Sequence, residues 1–125
     1  MGERTTRVLI IDAHQAVRSA MARLVASLPG CSVASTAAAV SAPGMSAAAE
    51  QADVALVDVE GSSDECPAIR MLRRLAPGLR LLAMGTLFPD GNAAIRAGAD
   101  AYFLKHDGAE ALSSVLRPPD PSARS

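Results

Sequence analysis

The chain has 125 residues, half of them apolar, a formal net charge of −1, and only three aromatic side chains, Phe88, Tyr102 and Phe103. One domain with one sizeable core fits that length, and a disordered chain does not fit that apolar content. Interspersed acids and bases leave no electrostatic footprint for nucleic acid or an anionic membrane, and so few aromatics leave no base-stacking surface.

Cys31 and Cys66 lie far apart. No signal peptide and no apolar span of ~20 residues is recognisable, so two reduced, partly buried thiols in a cytoplasmic chain are expected. The alanine and arginine bias points to a GC-rich bacterial genome.

In chain order, Arg7 to Asp12 is a short, continuously apolar run and reads as a buried strand. A helix follows over 15–28, with Val17, Ala20, Met21, Leu24, Val25 and Leu28 on its inward face, and Pro29-Gly30 stops it. Residues 31–35 form a weaker second strand. Residues 37–52 are alanine-rich, but Pro43-Gly44 interrupts them, which leaves a short helix from Gly44 to Gln51.

The third strand is Asp53 to Asp58. A helix over 67–76, entered at Cys66-Pro67, turns Ile69, Leu72, Leu75 and Ala76 inward and ends at Pro77-Gly78. Leu79 to Met84 is the fourth strand, and a short helix over 92–97 ends at Gly98. Ala101 to Leu104 is the fifth strand, followed by an amphipathic helix over 109–116. The domain is expected to cover 1–117, with 118–125 a proline-rich tail that no helix can continue through.

Buried strands alternating with helices predict a doubly wound parallel α/β sheet covered on both faces. Its binding edge is formed by the carboxyl ends of the strands. Asp12, Asp58, Gly85-Thr86 and Lys105 all fall at such ends. Read alone, this set is a metal or cofactor ligand group, a catalytic aspartate, an acidic pocket that has lost a member, or an aspartate–lysine ion pair that only holds the edge together.

Two other chemistries share part of the pattern. Asp12-Ala13-His14 resembles the start of the Asp-x-His-x-x-Gly motif of corrinoid-binding (cobalamin-binding) domains, but Val17 stands where backbone near a corrin needs glycine. An aspartyl-nucleophile phosphatase of the haloacid-dehalogenase type would use Asp12, but His14 replaces its second aspartate and no downstream acidic pair follows. No glycine-rich phosphate loop follows the first strand. His14 and His106 read as solvated residues.

The runs VLIIDAHQAVRSAMARLVAS, DVALVDV, AIRMLRRLAPGLRLLAM and IRAGADAYFLK resemble the response-regulator receiver domain of bacterial two-component systems, and within it the LuxR/FixJ type. The resemblance spans residues 7 to about 117. It implies a flavodoxin-like (βα)5 fold with strand order 2-1-3-4-5. It makes Asp58 the phosphoacceptor for a histidine kinase and Lys105 the phosphoryl-contacting cation. Asp12, Asp58 and the backbone carbonyl of Glu60 become magnesium contacts, and Tyr102 the aromatic that reports activation. Such chemistry needs cations around converging anions.

The departures from that family are specific. Its second magnesium-binding acid falls at Ala13, and a methyl group supplies no oxygen ligand. The hydroxyl position that ends the fourth strand falls at Gly85, with Thr86 adjacent. The loop after the acceptor, Glu60-Gly61-Ser62-Ser63-Asp64-Glu65, adds carboxylates near a site meant for phosphate. The expectation is an atypical receiver: a signalling and interaction module, not an enzyme, with weak or absent magnesium and impaired phosphorylation. Expected partners are a histidine kinase or other signalling protein and a second copy of the chain, in a process that regulates transcription, with no direct contact to nucleic acid or membrane. The alternative is a conventional receiver phosphorylated on Asp58.

Overall fold

The computed structural model describes residues 5–117. In chain order the elements are β1 (Thr6–Ile11), α1 (Gln15–Ser27), β2 (Cys31–Ala37), α2 (Met45–Glu50), β3 (Val54–Asp58), α3 (Pro67–Leu75), β4 (Arg80–Gly85), α4 (Phe88–Ala97), β5 (Ala101–Leu104) and α5 (Gly108–Leu116). A single 3-10 turn, Lys105–Asp107, joins β5 to α5. The five strands form one parallel sheet in the order β2-β1-β3-β4-β5, the flavodoxin-like order expected from the resemblance.

Side chains alternate across the sheet, so each apolar run feeds two cores. Leu9, Ile11, Ala55, Val57, Leu81 and Ala83 pack with α2, α3 and α4 on one face. Val8, Ile10, Val54, Leu56, Leu82 and Met84 pack with α1 and α5 on the other. Burying a side chain the size of Leu56 or Ile69 stabilises by roughly 1.5–3 kcal/mol, so the central strands hold the edge residues firmly.

Arg73 ties α3 to the far edge of the sheet. Its guanidinium donates to the carbonyls of Gly98 (2.7 Å), Leu79 (2.7 Å) and Pro77 (3.0 Å), and pairs with Asp100 at 3.0 Å. Gly98 closes α4 with φ 124°, a conformation open to glycine and strained for other residues.

Several boundaries differ from the sequence expectation. The fourth helix begins at Phe88, not at Asn92. Pro89 sits in its first turn, where the missing N–H needs no partner. Leu75, expected inward, is 43% exposed at the end of α3, and Ala20 is exposed on α1. The second strand runs two residues further, to Ala37, because Asp12 N–H bonds the Ala37 carbonyl at 3.0 Å and extends the pairing with β1. Cys31 and Cys66 are free thiols, Cys66 buried at the entrance to α3. The tail expected over 118–125 lies outside the described residues.

Candidate functional site

Parallel strands end on one edge, and that edge gathers Asp12 after β1, Asp58 at the end of β3, Glu60 just beyond it, Thr86 after β4 and Lys105 after β5. Asp12 is 1% exposed. Its Oδ1 accepts the His14 backbone N–H at 2.9 Å, and the Arg18 guanidinium donates to its backbone carbonyl at 2.8 Å. The other oxygen, Oδ2, is buried and has no hydrogen-bond donor among the described residues. Lys105 Nζ stands 3.8 Å from it, an ion pair too long for a hydrogen bond.

Lys105 is held elsewhere. Its ammonium lies 3.0 Å from Asp58 Oδ1 and donates to Glu60 Oε2 at 2.8 Å. Burial alone lowers its pKa; the hydrogen bonds to Glu60 and Asp58, with the charges of Asp58 and Asp12, outweigh this and leave it above the ordinary lysine value. The Asp58 carboxylate also accepts the Glu60 backbone N–H at 3.1 Å, and its side chain is only 7% exposed.

Glu60 has a part beyond the one expected. The resemblance assigns it a backbone carbonyl contact; the structure adds its side chain, which enters the pocket. Oε1 accepts the Thr86 hydroxyl at 2.8 Å while Oε2 accepts Lys105 at 2.8 Å. The Lys105 hydrogen bond, then that of Thr86, holds the carboxyl below the usual glutamate range. A signal existed in the sequence: an acid two residues past Asp58, followed by Gly61, whose φ of 74° turns the loop.

Thr86, not residue 85, brings a hydroxyl to this edge. Gly85 has another consequence: it leaves room for Tyr102. A Cβ on Gly85 would stand 2.5 Å from the Tyr102 hydroxyl oxygen, and a Cβ on Gly91 2.7 Å from ring atom Cδ2. The ring therefore lies in a slot between the end of β4 and α4. Its hydroxyl donates to the Leu87 carbonyl at 2.7 Å, and burial, followed by the charge of Asp90, raises its pKa.

The magnesium ion implied by the resemblance can be tested against these donors. A buried, unpartnered Asp12 oxygen beside Asp58 suits a divalent cation. Ala13 contributes no oxygen, so the pocket is one charged ligand short of the set that magnesium prefers. His14 stands close by: one donor atom each from Asp12, His14 and Asp58 lies within 4.8 Å of the other two.

No protein-family model and no curated protein sequence matches the chain. Solved structures do. The response regulator ChrA of a heme-sensing two-component system aligns at 26% identity with a TM-score of 0.71, covering 91% of this chain and 56% of its own. This chain thus spans a little over half of ChrA. A LuxR-family two-component response regulator from Aurantimonas sp. SI85-9A1 aligns at 24% identity and TM-score 0.70, covering 94% of this chain and 91% of its own. CheY6 from R. sphaeroides, solved in complex with the P1 domain of CheA3, aligns at 20% identity and TM-score 0.74, covering 92% of this chain and 96% of the matched chain. The chain has the fold of response-regulator receiver domains, as the sequence resemblance implied. No helix among the described residues is long and apolar enough to cross a membrane.

Proposed function

We propose that the chain is an atypical receiver: a bacterial, cytoplasmic module of two-component signal transduction that presents its output surface without magnesium-dependent phosphorylation of Asp58. One observation carries this reading. The Glu60 carboxylate is bound by both Thr86 and Lys105, the hydroxyl and the ammonium that a phosphoryl group on Asp58 would need. An anion already sits on the contacts that would otherwise recognise the modification. Electrostatics argues against adding a second one beside it, because like charges brought together are costly.

In this reading Asp58 and Lys105 keep the positions of phosphoacceptor and phosphoryl contact, while Glu60 does the binding. Asp12 and Asp58 hold magnesium weakly, since Ala13 removes a ligand. Output passes through the surface of α4, β5 and α5, where Leu87 and Ile95 are exposed apolar side chains. A second copy of the chain, or a signalling protein such as a histidine kinase, is the partner class. CheY6, of the same fold, is solved with the P1 domain of CheA3. Transcription is regulated through such a partner, and the chain itself is not an enzyme. The conventional-receiver reading rests on the Lys105–Asp58 distance of 3.0 Å.

Exposure to acetyl phosphate and magnesium separates the two, read by intact mass. Wild type is expected to stay largely unlabelled. Glu60→Gln, which removes the charge but keeps the shape, accelerates labelling by roughly tenfold. Asp58→Asn stays unlabelled in every background. A wild type that labels as fast and as fully as Glu60→Gln at low magnesium overturns the proposal in favour of a conventional receiver.

A further inference from the structure

The pocket carries more negative charge than its own cation neutralises. Three carboxylates, Asp12, Asp58 and Glu60, meet one ammonium, Lys105. Glu60 and Asp58 hold that ammonium at 2.8 and 3.0 Å, so Asp12 has it only at 3.8 Å. The buried Oδ2 of Asp12 is left without a hydrogen-bond donor among the described residues. A buried carboxylate oxygen in that condition is costly unless a cation completes it.

The donors around the Asp12 carboxylate are not those of an all-oxygen site. Asp12, His14 and Asp58 offer one donor atom each, all within 4.8 Å of one another. Ligands around one ion at about 2.0–2.2 Å stand no more than roughly 4.4 Å apart, so small side-chain rotations close the set. The His14 imidazole is 72% exposed and free to make such a rotation, and its Nδ1 already lies 3.5 Å from Asp12 Oδ1. Imidazole nitrogen with carboxylate oxygen suits the first-row transition ions, whereas magnesium takes oxygen and keeps its waters.

We infer that Asp12, Asp58 and His14 form a mixed nitrogen–oxygen site for a divalent first-row transition ion, of the zinc or cobalt class, and that it prefers such an ion to magnesium. Ala13 and His14 act together here: one removes a hard oxygen ligand and the other supplies a nitrogen. The inference shares its pocket with the proposed function but does not need Glu60 to act as the bound anion. Lys105 Nζ lies 3.0 Å from Asp58 Oδ1 and 3.8 Å from Asp12 Oδ2, so a bound ion competes with the ammonium for both carboxylates.

The test is calorimetric titration of the full chain with zinc, cobalt and magnesium chlorides, with cobalt absorption in the visible as a second readout. Wild type is expected to bind zinc and cobalt at least tenfold more tightly than magnesium. His14→Ala should lose at least about tenfold in zinc and cobalt affinity, the lower end of what even an outer partner's loss costs, and leave magnesium unchanged. His14 is exposed, so folding is not at stake, and circular dichroism checks it. His106→Ala and Cys31→Ser are the controls and should change nothing. Zinc binding that survives His14→Ala within twofold, or that follows Cys31 or His106, marks an adventitious ion only and overturns the site. Equal affinity for magnesium overturns the preference. Running the titration in Glu60→Gln keeps the two readings apart: zinc selectivity persists there if the site is right, whatever the labelling experiment returns.

Discussion

The Tyr102 hydroxyl oxygen lies 2.5 Å from the point where a Cβ on Gly85 would stand. Absence of a side chain at one residue thus sets the position of another. Between them, Gly85 and Gly91 hold the only tyrosine of the chain in a slot lined by β4 and α4, with the Leu87 carbonyl as its acceptor.

Gly85→Ala is expected to push the ring out of this slot. A backbone-anchored Cβ cannot yield, so the tyrosine must move or strain the strand, at a cost of about 1–3 kcal/mol. Gly85→Thr does the same before its hydroxyl can reach the pocket. The chain has no tryptophan, so Tyr102 emission reports the change directly, and urea unfolding reports the cost. Unchanged emission and stability in Gly85→Ala would contradict the slot.

Tyr102 also gives a pH signature. Burial raises its folded pKa above the ordinary 10.0. The folded state therefore binds the phenolic proton more tightly than the unfolded state. Its contribution to stability is complete below pH 10 and is lost as pH rises through the folded pKa. Ultraviolet titration of the phenolate should show a single midpoint above 10 in the native protein. In Gly85→Ala, with the ring expelled, the midpoint should fall back toward 10.

Arg73 should be the most sensitive charged residue outside the pocket. Its fork joins the carbonyls of Pro77, Leu79 and Gly98 to Asp100. Arg73→Ala leaves the part-buried carbonyls of Leu79 and Gly98 without this donor, for a loss of about 2–3 kcal/mol. Arg73→Lys should recover little, because a single ammonium cannot reproduce a planar fork. Thermal unfolding of the two variants checks this, and full recovery by lysine would show that only the charge matters.

The α2 segment should exchange its amide hydrogens first. It has six residues, starts after a left-handed Gly44 at φ 82°, and buries only Met45 and Ala49. So short a helix depends on packing rather than propensity, and little packing is present. Native-state exchange should find α2 unprotected while α1, with Met21 and Val25 buried, remains protected. Equal protection in the two helices would contradict the ranking.

Restoring the missing acid should act on the metal before it acts on the output. Ala13→Asp adds a charged oxygen beside Asp12, so magnesium affinity should rise by roughly tenfold. Labelling of Asp58 by acetyl phosphate should increase with it, but the Tyr102 signal should stay where it is, since Glu60, Gly85 and Gly91 are untouched. A shift of the tyrosine signal in this variant alone would couple two parts of the edge that the geometry keeps separate.

The sheet was legible in the sequence because its central strands are continuous apolar runs, and burial on both faces demands that pattern. The convergence of Asp12, Asp58 and Lys105 followed from it, since strand ends share one edge. The start of α4 was hidden because Pro89 and Gly91 are locally unfavourable. Their reasons lie elsewhere: proline fits a first turn, and Gly91 lies under Tyr102. Leu75 followed helical spacing but falls where α3 runs out of neighbours. The acid at Glu60 and the turn residue Gly61 were visible in the sequence, but the direction of the side chain depends on that loop turn, and periodicity carries no information about loops. Thr86 was legible at the end of the fourth strand, but its partner was not, because that partner is the Glu60 side chain on another loop.

The bond from Glu60 to Thr86 and Lys105 has a consequence for how such a module is governed. A ligand tethered two residues from Asp58 does not dilute; its effective concentration is set by the loop and stays in the millimolar range or above. A phosphodonor must outcompete it at every encounter, and a side-chain rotation that releases it is readily reversed because the tether keeps it close. Under the proposed function, the chain therefore carries no record of recent kinase traffic. What a cell can vary is the number of copies, through synthesis and degradation, so this module reports its own abundance.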